Sequence, residues 1–510
     1  MQTIKGLLLR GMLCVASLLP FVAEAQERVS VLRHNCLQET ADGTTTRGMH
    51  RLLSLKTDWD ANREYRQMVV LIEFSDSTFT MDNPREFYDR LFNEEGFTDS
   101  RFSRADGSVA DYFRDQSGGL FNVKFDVYGP VRVSSKAKRS SSQDKGSNVF
   151  KEATKKVLDS LKLEVAPYDW NGDQEVEQVI VVYAGPSGNV LGQEGFIWPN
   201  TGTFASITSK DGKSVRNYSA SPERFSPTSN AGIGTICHEY SHCFGLPDIY
   251  PKLDNLPLSV VDEWDLMDGG NFSGRGWCPP SYTGLEKILL GWGAAIELSE
   301  PQTIEGMKPV SEGGEFYLVR HTDTEYLLLE NHQWTGWDKY NPGHGLVVYH
   351  VDYDASNWFT NYVNNSRSGQ WGFCLVSADN RDYQAWDKLL GDDDPYVDGH
   401  SKILSGSPYP YYGLDGYVNA VLSDDSTPAA KMYHSNATGK KQLGKAITNV
   451  RMSDDGLISF DFMGGTTPQT AIAEVKAPEA KAWYDLQGRR VKAPSQRGLY
   501  IANGKKIIIK

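Results

Sequence analysis

Two histidines four residues apart, with a glutamate directly after the first, stand in the segment Ile236-Cys237-His238-Glu239-Tyr240-Ser241-His242-Cys243-Phe244-Gly245-Leu246-Pro247-Asp248. Ile233, Ile236 or Cys237, Tyr240 and Phe244 recur at three- and four-residue steps, so the segment reads as a helix with a core-facing stripe. On that helix His238 and His242 lie one turn apart on one face. Two imidazoles so placed can reach one ion at about 2.0–2.1 Å each, the usual Zn–N distance. Glu239 follows His238 around the helix and reaches the fourth position, where a water binds. Gly245 is the expected helix stop, because the left-handed cap conformation costs little only for glycine, and Pro247 prevents continuation. The turn that follows can return Asp248 to the ion as a third ligand. A downstream acid on the helical Tyr282–Leu290 pattern, Glu286, is the alternative. Three protein ligands and one water make a catalytic zinc centre rather than a structural one. Zinc lowers the pKa of such a water to about 7 and polarises a carbonyl, and Glu239 then takes the water's proton and passes it to the leaving amine. The chemistry is peptide-bond hydrolysis. An edge strand would align the polypeptide substrate by strand addition, and Phe196-Ile197-Trp198 is one candidate for it.

A second set of oxygen side chains, Asp169, Asn171, Asp173 and Glu177, occupies positions 1, 3, 5 and 9 of a loop, the first part of a calcium-binding pattern. Gln174 stands where such a loop has glycine, and Val179 begins a strand close to where it has its last acid. A structural calcium ion and a plain acidic turn both remain open. Asp392-Asp393-Asp394 reads more readily as a solvated loop than as a second cation site.

The elements that must position these residues alternate up to about residue 290. Met68–Phe74 and Val179–Tyr183 are buried strand patterns, and Phe121–Val127 alternates like a strand. Pro84–Phe92, Gly107–Gln116 and Val149–Leu161 carry helical spacing. This implies a mixed α/β layer. Beyond about residue 310 short strand patterns dominate, at 316–320, 325–330, 345–351, 372–376 and 457–462, which reads as a β-sandwich or all-β region. The expected organisation is a leader at 1–25, a pro-segment or N-terminal arm at 26–64, a catalytic domain at 65–310, a β-rich companion at 311–465, a linker at 466–480 and a small β block at 481–510.

The chain has 510 residues and a formal net charge of −13. That balance excludes nucleic acid as the main partner, since phosphate binding needs clustered Lys and Arg. Lys5 and Arg10, the apolar stretch to Val22 and Ala23-Glu24-Ala25 form a secretory signal, with Gln26 the first mature residue. Export to the medium or the cell surface follows, and no later segment is long and apolar enough to span a bilayer. Of six cysteines, Cys14 leaves with the leader. The remaining five do not have zinc-ribbon spacing, and their pairing is not readable. A Cys36 thiolate could cap the metal and hold the enzyme latent, but its spacing demands no more than a disulfide partner or a free thiol.

The stretch HEYSHCFGLPDIY at 238–250 resembles the active-site segment of the immune inhibitor A family of zinc metallopeptidases. VVLIEFSD at 69–76, GSVADYFRDQSG at 107–118, DEWDLMDGG at 262–270 and LLLENHQWTGWDKYNPGHGLVVYHVD at 327–352 resemble further parts of that family in the same order. Together they cover roughly 65–465. The resemblance implies an α/β (α+β) zincin-like catalytic domain with a mixed sheet and an active-site helix, followed by a β-sandwich-like domain. It also implies that Met267 is the methionine of a turn lying under the metal, and that an Asp-rich loop stands at 169–177, where calcium and a plain acidic turn both stay open. Residues 483–510 resemble the sorting domain of the bacterial type IX secretion system, which implies a secretion-machinery partner. Against the secreted endopeptidase stand a surface-binding protein with a vestigial metal site and a zinc amidase acting on a non-protein substrate. The intact His238, Glu239 and His242 speak against the first.

Overall fold

The computed structural model describes residues 59–465 apart from 140–144, 191–194, 227–228, 254–258, 367, 382–403 and 415, together with 483–484, 490–491, 498–502 and 505–509. The expected leader, Cys14, Cys36, the Asp392-Asp393-Asp394 run and the linker lie outside the described residues.

The apolar run from Met68 forms the middle of β1 (Glu64–Glu73), and Met68 to Ile72 are fully buried. Such continuous runs belong to parallel strands covered on both faces. Accordingly β1 pairs in parallel with β2 (Asn122–Arg132) and β3 (Val179–Pro186). β4 (Asn200–Thr208) pairs antiparallel with β5 (Ser214–Ser226), which lies parallel to β3. The order is β2-β1-β3-β5-β4, with β6 (Ser229–Asn230) added to β5.

Alternate β1 residues face opposite layers. Val69 and Leu71 pack with α1 (Pro84–Asn93), α2 (Val109–Gln116) and α4 (Gly234–Ser241). Met68, Val70 and Ile72 pack with α3 (Ser147–Leu161). α2 begins in a capping box, Ser108 Oγ accepting from Asp111 N at 3.1 Å and Asp111 Oδ2 accepting from Ser108 N at 2.9 Å.

After α5 (Gly284–Leu290) the chain is mainly β. β7 (Ile296–Glu297), β9 (Tyr317–Arg320), β10 (Glu325–His332), β11 (Gly345–Asp352) and β12 (Phe373–Leu375) form a sheet ordered β12-β11-β10-β9-β7, and α6 (Ala355–Phe359) follows β11. β8 (Gln302–Met307), β15 (Ile447–Met452) and β16 (Ile458–Phe462) form a second sheet. The five-stranded sheet has two buried faces. Tyr317, Val319, Leu327, Leu329 and Val348 meet the second sheet, whereas Leu318, Leu328, Val347 and Tyr349 join the core that contains α4. No core boundary therefore falls at 310/311, and β7 and β8, expected in the first region, belong to the sheets of the second. The expected N-terminal arm also ends inside this core. Trp59 packs edge-on against Phe121 and Phe244, and its Nε1 donates to Leu290 O at 2.7 Å.

β13 (Tyr411–Tyr412) and β14 (Val418–Asn419) form a hairpin. In the last block β17 (Trp483–Tyr484), β18 (Arg490–Val491), β19 (Gly498–Ala502) and β20 (Lys505–Ile509) form an antiparallel sheet ordered β18-β17-β19-β20. Among the described residues no helix is long and apolar enough to cross a membrane.

Candidate functional site

α4 is buried along its whole length. Its Tyr240 meets Phe113 edge-on, and Phe244 meets Phe121 in the same way. A tight turn over His242–Phe244 extends the helix, and Gly245 then takes φ +88° as its left-handed cap, donating from N to His242 O at 3.0 Å. The reversal brings Asp248 Oδ1 to 3.2 Å from His238 Nε2 and 3.3 Å from His242 Nε2. Among the described residues this trio is the group of acid, histidine and cysteine side chains whose ligand atoms all lie within 4.8 Å of one another.

The far sides of both rings are already used. His238 Nδ1 lies 2.8 Å from Leu266 O, and His242 Nδ1 lies 2.7 Å from Leu246 O. A carbonyl oxygen only accepts, so each Nδ1 donates and each Nε2 presents a lone pair. Both Nε2 atoms and the Asp248 carboxylate oxygen converge. With neutral rings these are three acceptors facing one another in a buried pocket, an arrangement that a metal ion or a proton on one ring would relieve. The pocket also draws positive charge. Burial opposes an imidazolium at His238, but Asp248 and Glu239 outweigh it and raise its pKa. Burial likewise opposes charge on Asp248, but Lys252 and the two histidines hold its carboxyl well below the usual range. The donor set of two imidazoles and one carboxylate fits zinc.

Glu239 lies beside this trio and is fully buried. Thr201 Oγ1 lies 2.9 Å from Glu239 Oε2 and 2.9 Å from Glu239 O. The second carboxylate oxygen, Oε1, has no partner. Burial raises the Glu239 pKa to about 7, against the pull of the two histidines. Thr201 belongs to β4, the antiparallel edge of the first sheet, so the edge strand at the site is Asn200–Thr208. Phe196-Ile197-Trp198 instead precedes that strand. Ile197 O is engaged by Gly188 N at 2.9 Å and Tyr183 OH at 2.7 Å.

Met267 is fully buried in the turn that supplies Leu266 O. Its own N donates to Asp265 Oδ1 at 2.6 Å, and its carbonyl accepts from Ile249 N at 2.9 Å, which ties the turn to the segment after Asp248. Glu286 lies outside the converging trio; its Oε2 accepts from Thr283 N at 2.8 Å in the capping box of α5, and its Oε1 has no partner. The Asp169–Glu177 loop closes on itself. Asp169 accepts from Gly172 N, Asp173 N and Gln174 N, and its Oδ2 lies 2.8 Å from Lys213 Nζ. Glu177 Oε1 accepts from Trp170 N and Asn171 N, and Asn171 Oδ1 accepts from Asp173 N. A lysine ammonium thus meets the first acid of the expected calcium loop. Thr201, Lys252 and Asn361 are site residues that sequence reasoning missed; a lone threonine or asparagine far along the chain carries no spacing signal.

Residues 192–287 match the family described as immune inhibitor A peptidase M6, catalytic domain. Immune inhibitor A of Bacillus thuringiensis subsp. alesti is 27% identical over 304 residues, 48% of this chain and 43% of the relative. The chain therefore spans less than half the length of that relative. The matched family segment contains β4, α4, Asp248 and the Met267 turn, and it ends before the five-stranded sheet.

Proposed function

We propose that the protein is a secreted zinc-dependent endopeptidase, exported through residues 1–25 and handed to secretion machinery through residues 481–510. The observation that carries the reading is the convergence of His238, His242 and Asp248 within 4.8 Å, beside a Glu239 carboxylate with one unpartnered oxygen. The similarity of residues 192–287 to a peptidase catalytic domain supports it. A zinc ion held by His238, His242 and Asp248 would polarise a scissile carbonyl and acidify a water.

The chain's own groups supply the rest. Glu239 is buried beside the three ligands with its carboxyl raised by burial to about 7, and a carboxyl so placed can take a proton from water and return it to the leaving amine. Thr201 holds Oε2 so that Oε1 faces the incoming water. The free side of β4 offers main-chain groups to an extended polypeptide, which favours protein over small amide substrates. Met267 and Gly245 set the floor and the reversal that bring the three ligands together.

The test pairs metal content with casein cleavage for residues 26–510 and for Glu239→Ala. One zinc per chain in both, cleavage by the parent alone and loss of cleavage on chelation are expected. A parent that holds zinc but cuts no protein, even after limited proteolysis of its N-terminal arm, would move the reading to a binding protein or an amidase. A parent that binds no zinc would end it.

A further inference from the structure

We propose that Asn361, Asn364 and Asn365, together with Lys252, are positioning residues that fix Asp248 as a one-oxygen metal ligand, so that the β region completes the metal centre. This rests on the reading of Asp248 as a zinc ligand. Asn361 Oδ1 accepts from Asp248 N at 2.7 Å, and its Nδ2 donates to Asp248 Oδ2 at 3.2 Å. Lys252 Nζ lies 2.9 Å from the same Oδ2. Asn364 Nδ2 donates to Ile249 O at 2.8 Å, and Asn365 Oδ1 accepts from Lys252 N at 2.6 Å. Three residue pairs, 361–248, 364–249 and 365–252, therefore join the two segments in the same chain order, across more than a hundred residues of chain.

Asp248 has two oxygens. Oδ2 takes an amide donor and an ammonium, and Oδ1 is the oxygen turned toward both histidines. A carboxylate free to rotate could offer either oxygen or both; here Oδ2 is engaged by Asn361 and Lys252. Preorganisation of this kind shows in metal affinity, because outer partners of ligands are worth roughly 10–100-fold in binding. Asn361 is 6% exposed and Asn364 1% exposed, so water competes little for these bonds. Asn361 also sits at φ +62°, a conformation that asparagine tolerates and β-branched residues do not. Asn364 is anchored in turn by Phe373 on β12, accepting from Phe373 N at 3.1 Å and donating to Phe373 O at 2.8 Å. The ligand loop is thereby tied to the five-stranded sheet.

The experiment uses residues 26–510 with Asn361→Gly, Lys252→Met and Asp248→Ala. Glycine keeps the left-handed backbone at 361 and removes only the amide. Zinc affinity is read by competition with a chromophoric chelator, the thermal midpoint is read on zinc-free protein, and kcat and KM are read on a peptide. Asn361→Gly and Lys252→Met should each bind zinc roughly tenfold or more weaker than the parent, read at a temperature where the zinc-free variants remain folded, with a fall in kcat at constant KM. Parent-like zinc affinity in both variants overturns the proposal while leaving the zinc site intact. If Asn361→Gly also lowers the zinc-free midpoint, Lys252→Met decides, and an unaltered zinc affinity there overturns it. A parent that binds no zinc, or an Asp248→Ala variant that binds it as the parent does, overturns the reading of Asp248 itself and the clamp with it.

Discussion

Gly234 opens α4 one turn before His238, so its packing bears on the proposed metal site. A Cβ built there would lie 2.0 Å from Asn271 O, 2.9 Å from Asn271 C and 3.2 Å from Gly276 O. All three are main-chain atoms, so no side-chain rotation relieves the contact. Reaching even a close carbon-to-carbonyl-oxygen approach of about 3.3 Å requires the helix and the 270–276 segment to part by roughly 1 Å. Overpacking of this type costs about 1–3 kcal/mol in stability, and a displacement of about 1 Å at a reacting group costs about a hundredfold in rate. Gly234→Ala is therefore expected to lower the thermal midpoint and to reduce kcat/KM on a fluorogenic peptide by about two orders of magnitude, chiefly through kcat. The assay compares kcat, KM, zinc content and thermal midpoint with those of the parent. A Gly234→Ala variant with the parent's midpoint and kcat would refute the claim that α4 is docked this tightly.

Glu239→Gln keeps the shape of the side chain and removes its basicity; kcat should fall about 10²–10⁴-fold with zinc content unchanged, and zinc loss instead would mean that Glu239 serves the metal. Thr201→Val deletes a hydrogen bond to a carboxylate worth about 1.5–3 kcal/mol, so kcat should fall by about tenfold or more, Thr201→Ser should restore it, and equal damage by both variants would show that packing rather than the hydroxyl matters. A third prediction concerns pH. His332 lies 2.8 Å from Asp338 Oδ2 and 3.2 Å from Glu330 Oε2 in a fully buried cluster. Burial opposes its charge, but these carboxylates raise its pKa from 6.5 to about 9, a difference worth about 3 kcal/mol. A raised histidine stabilises most below the unfolded pKa and loses that contribution as pH rises through the folded one. The thermal midpoint should therefore fall as pH climbs from 6.5 through about 9; His332→Gln should lie lower at neutral pH and fall less steeply, the rest of the slope coming from His350, also raised to about 9, and a variant slope equal to the parent's would count against the buried imidazolium.

The parts of the fold legible in the sequence are those whose burial is strongly one-sided or complete. The Val-rich run of β3 and the periodic faces of α1, α2 and α3 stand within three residues of their patterns, and β1 begins four residues before its own. β5 was not legible, because its buried positions include Ser219, Ser221 and Glu223, and Pro222 lies inside it opposite Tyr183 of β3. A strand that buries small and polar residues leaves no hydrophobic alternation to read. β4 was hidden for a similar reason, since Phe204 and Ile207 are its large buried apolar residues. At the site, His238, Glu239, His242, Gly245 and Asp248 were legible because helical periodicity and a glycine stop fix their relation over eleven residues. Thr201 and Asn361 approach from other elements, 38 and 113 residues away from their partners, and nothing local marks them.

The ligands differ in what holds them, and the difference decides where the site is fragile. Both histidines donate to main-chain carbonyls, Leu266 O and Leu246 O. Those acceptors survive a change of side chain at 266 or 246, so the tautomer that turns each Nε2 toward Asp248 depends on the path of the backbone. Asp248 is held the other way, by the side chains of Lys252 and Asn361, and a single substitution can remove either. Damage confined to metal affinity should therefore concentrate on residues serving Asp248, whereas damage at the histidines should require a displaced backbone, as at Gly234. The shared core explains how a contact from 361–365 can be precise enough to matter. Leu328, Val347 and Tyr349 of the five-stranded sheet pack in the same core as Ile236, Tyr240 and Phe244 of the metal-site segment, so the asparagines and the ligand loop are carried by one packed body rather than by two that meet at a hinge.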